Sequence, residues 1–461
     1  MNKNVRRAAS ALALSTLAIS MASCRQAPQV APGFNPGVRQ QNTQFGRQSS
    51  GNAAMQAVDR AAAQGLAAVP GEFNVILRPG VGAQSLSAMG NFEVKNIAPN
   101  IASVKVRGVS AQSAQQDQQT LQQLQNNPNI LVAEPNFIVK LDLPQVSAPN
   151  VENRLPAAPN DALFAKQWHH KTIGSVPAWA KQKGSKNILV SIVDTGMDCG
   201  HPDLEANVDR SKTFSAYNDD GCEDLQGHGT HVGGTVGAVT DNTIGVAGVA
   251  PDITLMSAKV LSNSGSGSYN SVAAGIVASA DAGAQIISMS LGGPSNSRVI
   301  TEAINYAMKK GALLVAASGN GGNARPSYPA AIPGVFTVGA TDINNNIARF
   351  SQYGPHLDIS APGVNIMATF PRNRSGMPGT NYGAISGTSM ATPVVSAVAA
   401  LVMSQNPGIK ADDVKKILQA SAVDAGPAGR DDKFGAGIVN AQAALDASPA
   451  GVAAQRVRRF R

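Results

Sequence analysis

Unbroken apolar runs alternate with helically spaced segments over the C-terminal two thirds of the chain. Ile188–Asp194, Thr254–Leu261, Gln285–Leu291, Leu313–Ser318 and Val335–Ala340 read as strands with little polar interruption. Gly267–Ala282, Val299–Lys310, Ser389–Gln405 and Asp412–Ala420 read as helices. Strands that are apolar on both faces and alternate with helices predict a mostly parallel sheet covered on both sides. In such α/β sheets, sites lie beyond the carboxyl ends of the strands. Asp194 ends the first strand and Asn320 follows a later one, so both are candidate site residues.

Upstream, the pattern is of another kind. Phe73–Leu77, Ile101–Val106 and Leu131–Lys140 read as strands, and Val109–Gln125, with Leu121 and Leu124 three apart, as a helix. Together they predict a small α+β domain over residues 71–142. Residues 25–70, rich in Gln, Ala, Pro and Gly, show no apolar periodicity and read as a low-complexity tether. Residues 143–159 are a polar, proline-rich linker, 160–447 the main domain, and 448–461 a basic tail. Residues 1–24 pair a basic start with an apolar run too short to span a bilayer, the pattern of an export signal. Cys24 follows two small residues, where a bacterial lipoprotein signal places its lipidated cysteine; ordinary cleavage near Ala22 is the alternative.

Composition narrows the function classes. The chain of 461 residues is 43% hydrophobic and has 46 glycines, enough for a sizeable α/β core with many tight turns. Its net charge of +8 is not concentrated in the main domain: residues 160–461 carry 24 basic and 22 acidic side chains. That near neutrality argues against a nucleic-acid partner. Cys199 and Cys222 are the only cysteines after Cys24. In an exported chain, and in loops close in sequence, they suggest a disulfide, with two free thiols as the alternative.

The chemistry centres on Gly387-Thr-Ser-Met-Ala-Thr-Pro393, which runs into the apolar stretch Val394–Met403. Ser389 is expected in the first turn of a helix, where backbone N–H groups are unpaired and an anion is favoured. Pro393 is read as an early-turn proline whose missing N–H costs little. A serine hydroxyl needs a base, a group to orient that base and a donor for the oxyanion. Upstream lie Asp194-Thr-Gly196, Gly227-His-Gly-Thr-His-Val-Gly-Gly234 and Ser318-Gly-Asn320. An α/β-hydrolase esterase would need Gly-x-Ser-x-Gly with histidine last. Here Ala391 replaces the final glycine and His228 precedes Ser389.

The order Asp, His, Asn, Ser, at intervals of 34, 92 and 69 residues, resembles the subtilisin-like serine proteases. Pro159-Asn-Asp-Ala-Leu-Phe164 and Phe434–Ala441 resemble that family's opening and closing segments. The resemblance implies a subtilisin-like three-layer αβα fold in which Asp194 orients the base, His228 is the base, Ser389 attacks and Asn320 serves the oxyanion. His231, on the same helix, is then structural, and His169, His170, His201 and His356 have structural or surface roles. Residues 71–142 resemble the family's inhibitory propeptide, most specifically at Glu134-Pro-Asn-Phe-Ile-Val139. That implies a precursor inhibited by its own propeptide and cut in the linker.

For substrate, the resemblance makes Ser290-Leu291-Gly292-Gly293 an edge that pairs with a peptide. Ala317 and Gly319 then form a pocket wall and Ser327 its floor. With no acidic residue evident there, an apolar side chain before the cut is expected. It also implies a structural calcium held by Gln167, Asp203, Val239, Asn242, Ile244 and Val246, with Asp241 the alternative to Asn242; the competing reading makes these turn residues. The expected partners are protein or peptide substrates and the propeptide, with no nucleic acid and a membrane only through a lipid anchor. The expected product is an exported monomer, secreted or held in the cell envelope. If Cys24 is acylated, it is an outer-membrane or surface lipoprotein.

Overall fold

The computed structural model describes residues 53–447, apart from 66, 88, 109–112, 147–154, 157, 218 and 374. The export signal, Cys24, the start of the tether, part of the linker and the basic tail lie outside the described residues.

The N-terminal part begins earlier than the sequence pattern suggests. Helix α1 (Ala53–Ala63) and the start of strand β1 (Ala68–Leu77) fall where a tether is expected up to residue 70. A short helix α2 (Gln84–Ser87), strands β2 (Phe92–Ala98) and β3 (Ile101–Val106), helix α3 (Ala114–Gln125) and strand β4 (Ile130–Lys140) follow. Helix α3 starts at a capping box: Ser113 Oγ accepts from the Gln116 N–H, and Gln116 Oε1 accepts from the Ser113 N–H. Strand β2 escapes the pattern because only Phe92 and Ala98 at its two ends are buried. The strands form an antiparallel sheet in the order β2-β3-β1-β4. Its core holds Phe73, Val75, Leu77, Leu86, Val104 and Leu124.

The main domain opens with short helices α4 (His169–Thr172) and α5 (Ser175–Trp179). Then come β5 (Leu189–Asp194), β6 (Phe214–Ser215), α6 (His228–Gly237), β7 (Thr254–Lys259), β8 (Ser266–Ser268), α7 (Tyr269–Asp281) and β9 (Ile286–Met289). Next are α8 (Arg298–Lys309), β10 (Leu313–Ala317), β11 (Phe336–Thr341), β12 (Ile359–Pro362) and the hairpin β13 (Ile366–Thr369) and β14 (Tyr382–Ile385). Helices α9 (Thr388–Gln405), α10 (Ala411–Ala420) and α11 (Ala441–Asp446) complete the described chain. Seven strands form a parallel sheet in the order β12-β11-β10-β9-β5-β7-β6.

Alternate residues of each strand feed opposite layers, as a period of two requires. Val190, Ile192, Leu313 and Val315 pack with α6, α9 and α10. Leu189, Val193, Leu314 and Ala316 pack with α7 and α8. The result is the expected three-layer αβα arrangement. Helix α9 is long and apolar enough to cross a membrane, yet 89% of it is buried inside the protein, so it is a core helix.

Pro393 sits deeper in α9 than an early-turn proline. As the helix's sixth residue, it removes the N–H that would bond to the carbonyl four residues back. That carbonyl belongs to Ser389, and the Ser290 hydroxyl donates to it at 2.8 Å. The lost helix bond thereby becomes a tie between α9 and the loop after β9.

Cys199 and Cys222 form a disulfide. Both lie between β5 and α6, and Cys199 is buried against the layer that holds those elements. Replacing both with alanine is expected to lower the unfolding free energy by about 3 kcal/mol, read from the urea midpoint of the oxidised protein and of the variant.

His169, His170 and His231 are fully buried. Burial pushes His170 and His231 down to about 3 and holds His169 well below its usual value. These imidazoles are neutral in the folded chain, while the unfolded chain takes up protons on them near its ordinary pKa of about 6.5. Their stabilisation is therefore fully present above about pH 6.5 and drains away as pH falls toward 3. His231→Gln is expected to reduce the slope of unfolding free energy against pH, measured between pH 7 and 5, by about one proton.

Candidate active site

Four sequence segments converge at the carboxyl ends of the central strands. Asp194 is the last residue of β5, fully buried, and its Oδ1 lies 2.8 Å from His228 Nδ1. The same oxygen accepts the Thr195 N–H at 2.8 Å. With Nδ1 directed at a carboxylate, the imidazole's orientation is set from one side.

His228 is the first residue of α6, an element the apolar pattern does not reveal. Its ten residues include four glycines and all are buried, so packing overrides poor helix propensity. Two of those glycines permit close contact. A Cβ on Gly229 would lie 2.0 Å from the Gly196 carbonyl, and one on Gly234 would lie 2.1 Å from Thr369 Oγ1. The helix start is held by Asp224, which sequence reasoning missed. Its Oδ1 accepts from Thr195 Oγ1 and the Gly227 N–H, and its Oδ2 from the N–H and hydroxyl of Thr230. An acid four residues before the histidine and just ahead of a helix was the available signal. Lys259, also missed and fully buried, donates to the carbonyls of Thr195 and Glu223 and to Asn263 Oδ1. One ammonium thus ties down the chain on either side of the disulfide segment.

Ser389 is the second residue of α9 and is 5% exposed. Its hydroxyl donates to the Ser290 carbonyl at 3.1 Å, while His228 Nε2, buried, has no partner. In this arrangement the serine and the imidazole are not hydrogen-bonded to each other. Helices α6 and α9, which carry them, pack directly together.

Asn320 follows β10, and its amide orientation is settled by its neighbours: Oδ1 accepts both the N–H and the hydroxyl of Thr388 at 2.9 Å. Nδ2 therefore points outward, and it donates to the carbonyl of Asp142 at 2.6 Å. A cleft of about 330 Å³ opens here, lined by Ser290, Leu291, Gly292, Gly293, Ala317, Gly319, Ser327, Arg325 and the incoming residues Lys140, Leu141 and Asp142. Gly292 packs against the predicted floor, since a Cβ there would meet Ser327 Oγ at 2.5 Å. Within the predicted edge, Gly293 pairs its N–H and carbonyl with Tyr328, so its N–H is not available to a peptide. The residue whose carbonyl meets the Asn320 amide is Asp142.

His231 stands apart from this chemistry: its Nε2 meets the Ile366 carbonyl at 2.9 Å. His169, His170 and His201 are buried, in keeping with structural roles.

The candidate cation site differs from the expected set. Gln167 does not reach toward Asp203. Its amide bonds to the Ala247 N–H and carbonyl and to the Met367 carbonyl. Asp161 takes its place: Oδ2 accepts the Asp241 N–H at 3.0 Å, and Oδ1 is buried without a partner. Asp203 accepts from Asn242 Nδ2 at 2.6 Å and the Val246 N–H at 2.9 Å. Burial raises both carboxyls above the usual range, and Asp161 raises Asp203 further. The loop between them, Val239–Val246, includes Ile244 and turns through positive φ at Asp241 and Thr243. Among the described residues no three His, Cys, Asp or Glu side chains converge, so any cation would combine carboxylates with carbonyl oxygens.

The chain is similar to known proteins over the main domain. A model of the subtilase family matches residues 185–437. Thermitase from Thermoactinomyces vulgaris is 42% identical over 265 residues, covering 57% of this chain and 91% of thermitase. Subtilisin Savinase from Lederbergia lenta is 44% identical over 257 residues, covering 56% of this chain and 90% of that protein. Among solved structures, fervidolysin from Fervidobacterium pennivorans, described as a keratinolytic enzyme related to subtilisin, aligns with a TM-score of 0.72 at 27% identity. That alignment covers 83% of this chain and 62% of fervidolysin, so this chain spans under two thirds of that protein. With the family match extending over more than half of its length, the chain belongs to the subtilase family and is a subtilisin-like serine endopeptidase.

Proposed function

We propose that this endopeptidase is made as an exported precursor whose residues up to Asp142 act as an intramolecular inhibitor, and that Asp194, His228, Ser389 and Asn320 perform the hydrolysis. The observation that carries this reading is the Asp142 carbonyl resting on the Asn320 amide beside Ser389. A peptide carbonyl held in that way is one rotation of a serine side chain from attack.

The chemistry follows from the side chains present. Ser389 turns about its Cα–Cβ bond from the Ser290 carbonyl to the vacant Nε2 of His228. His228 takes its proton as Oγ attacks, then delivers that proton to the leaving amine. Asp194 keeps the tautomer with Nδ1–H and stabilises the imidazolium. The negative oxygen receives the Asn320 amide and the N–H of Ser389 at the start of α9. Water then hydrolyses the acyl-enzyme by the same relay.

Inhibition is supported by how the precursor segment lies on the enzyme. Strand β4 extends the antiparallel sheet into β8, pairing Ile138 with Ser268, Val139 with Gly267 and Lys140 with Ser266. Glu134 accepts from the Ser297 hydroxyl and the Arg298 and Val299 N–H groups at the start of α8. Asn136 accepts the Asn270 N–H at the start of α7. Two helix starts, each already capped by its own serine (Ser268 and Ser297), thus gain further N–H acceptors from this segment. Export rests on the pattern of residues 1–24, with secretion or anchoring through Cys24 as the destination.

A structural calcium fits the pair Asp161 and Asp203: two buried acids, one with an unpartnered oxygen, need a counter-charge and offer hard oxygen ligands. The carbonyls of Val239, Ile244 and Val246 and the side chain of Asn242 are the remaining donors. The ion would brace the loop after α6.

Asn320→Ala is expected to lower kcat by about 10²–10³-fold, an effect size taken from the equivalent donor of subtilisin. Ser389→Ala should abolish labelling by a serine-directed fluorophosphonate and leave the precursor uncut. An uncut wild-type precursor that never labels would remove the proposal. Chelation by EDTA should lower the melting temperature of the wild type. Asp161→Asn should blunt that response and Gln167→Ala should not, read by calorimetry.

A further inference from the structure

We propose that the first bond this enzyme breaks in its own chain is Asp142–Leu143, an assignment that rests on the precursor reading above. The register follows from several contacts in series. Strand β4 pairs with β8 up to Lys140 opposite Ser266, and the Leu141 N–H donates to the Gly265 carbonyl at 2.9 Å. The next carbonyl, that of Asp142, meets Asn320 Nδ2 at 2.6 Å. Side chains on both sides of this point anchor the chain. Val139 is buried among Tyr269, Leu291, Ile300 and Tyr328, whereas Leu143 packs against the opposite core.

An extended chain leaves little room for another assignment. Shifting it by one residue turns the carbonyl to the other side, and shifting it by two moves the target by about 7 Å. Either change would also pull Val139 out of its pocket. The carbonyl on the Asn320 amide, in the cleft that Ser389 also lines, belongs to the bond C-terminal to Asp142.

In the cut, Oγ bonds to the Asp142 carbonyl carbon as its proton passes to His228. The C–N bond to Leu143 breaks, and that proton leaves on the new Leu143 amine. Water then adds its hydroxyl to the ester carbonyl, its proton passes through His228 back to Oγ, and Asp142 ends as a free carboxylate. The pocket tolerates an acid at this position because, among the described residues, its only charged lining side chain outside the docked segment is Arg325.

The test uses the full-length chain, sampled early by mass spectrometry. The released fragment should end at Asp142 and the larger one begin at Leu143. A first cut at any other bond, with Ser389→Ala uncut, overturns this assignment alone. A first cut that persists in Ser389→Ala overturns instead the self-processing on which it rests. As a second arm, a synthetic peptide of residues 137–146 should be cleaved by mature enzyme at the same bond. Lysine in place of Asp142 should lower kcat/KM about tenfold or more, and Arg325→Glu should reverse that preference. Equal cleavage of the two peptides overturns the role given to Arg325.

Discussion

Everything at this site depends on a buried carboxylate that has only one direction in which to act. Asp194 closes a strand with no exposed residue, and a single oxygen receives both the Thr195 N–H and the His228 ring. Such a charge is tolerated in the interior only if it is hydrogen-bonded. The second oxygen of Asp194 has no partner, and the surrounding chain instead fixes the donors of the first. Asp224 gathers four donors from Thr195, Gly227 and Thr230, and Lys259 binds the carbonyls of Thr195 and Glu223. These contacts give the imidazole a fixed seat rather than a loose one, as proton transfer requires.

The serine side is fastened by a second economy. Pro393 frees the Ser389 carbonyl and Ser290 fills it, while Thr388, the neighbouring residue, orients Asn320. Ser389, Asn320 and the loop after β9 are therefore joined by hydrogen bonds through Thr388 and Ser290. Ser389 and His228 are not hydrogen-bonded to each other, and in the mechanism we propose that is the contact that forms.

Residues 130–142 enter the cleft by continuing a sheet, and main-chain pairing of that kind accepts many sequences. Selectivity comes from the side chains at the ends: Val139 in an apolar pocket, and Glu134 and Asn136 at two helix starts. A peptide substrate would share the pairing but lack the capping groups. On the reading we propose, that difference separates an inhibitor that stays from a substrate that leaves.

The chain on its own determined the alternation of strand and helix, because residues buried on both faces must be apolar wherever they fall. It also determined the order of Asp194, His228, Asn320 and Ser389, whose glycine-rich surroundings are local requirements of close backbone approach. Strand β8 stayed hidden, since Ser-Gly-Ser carries no periodic signal, and α6 was marked only by its Gly-His-Gly-Thr-His motif, since a helix with four glycines has no apolar period; both exist through packing. Tertiary structure alone decided that Asp161 rather than Gln167 faces Asp203, and that the carbonyl of Asp142 meets Asn320. Apolar pattern reports which residues leave water. Which oxygen meets which amide across 178 residues depends on the register of paired strands, and that register is set only when the two parts of the chain pack together.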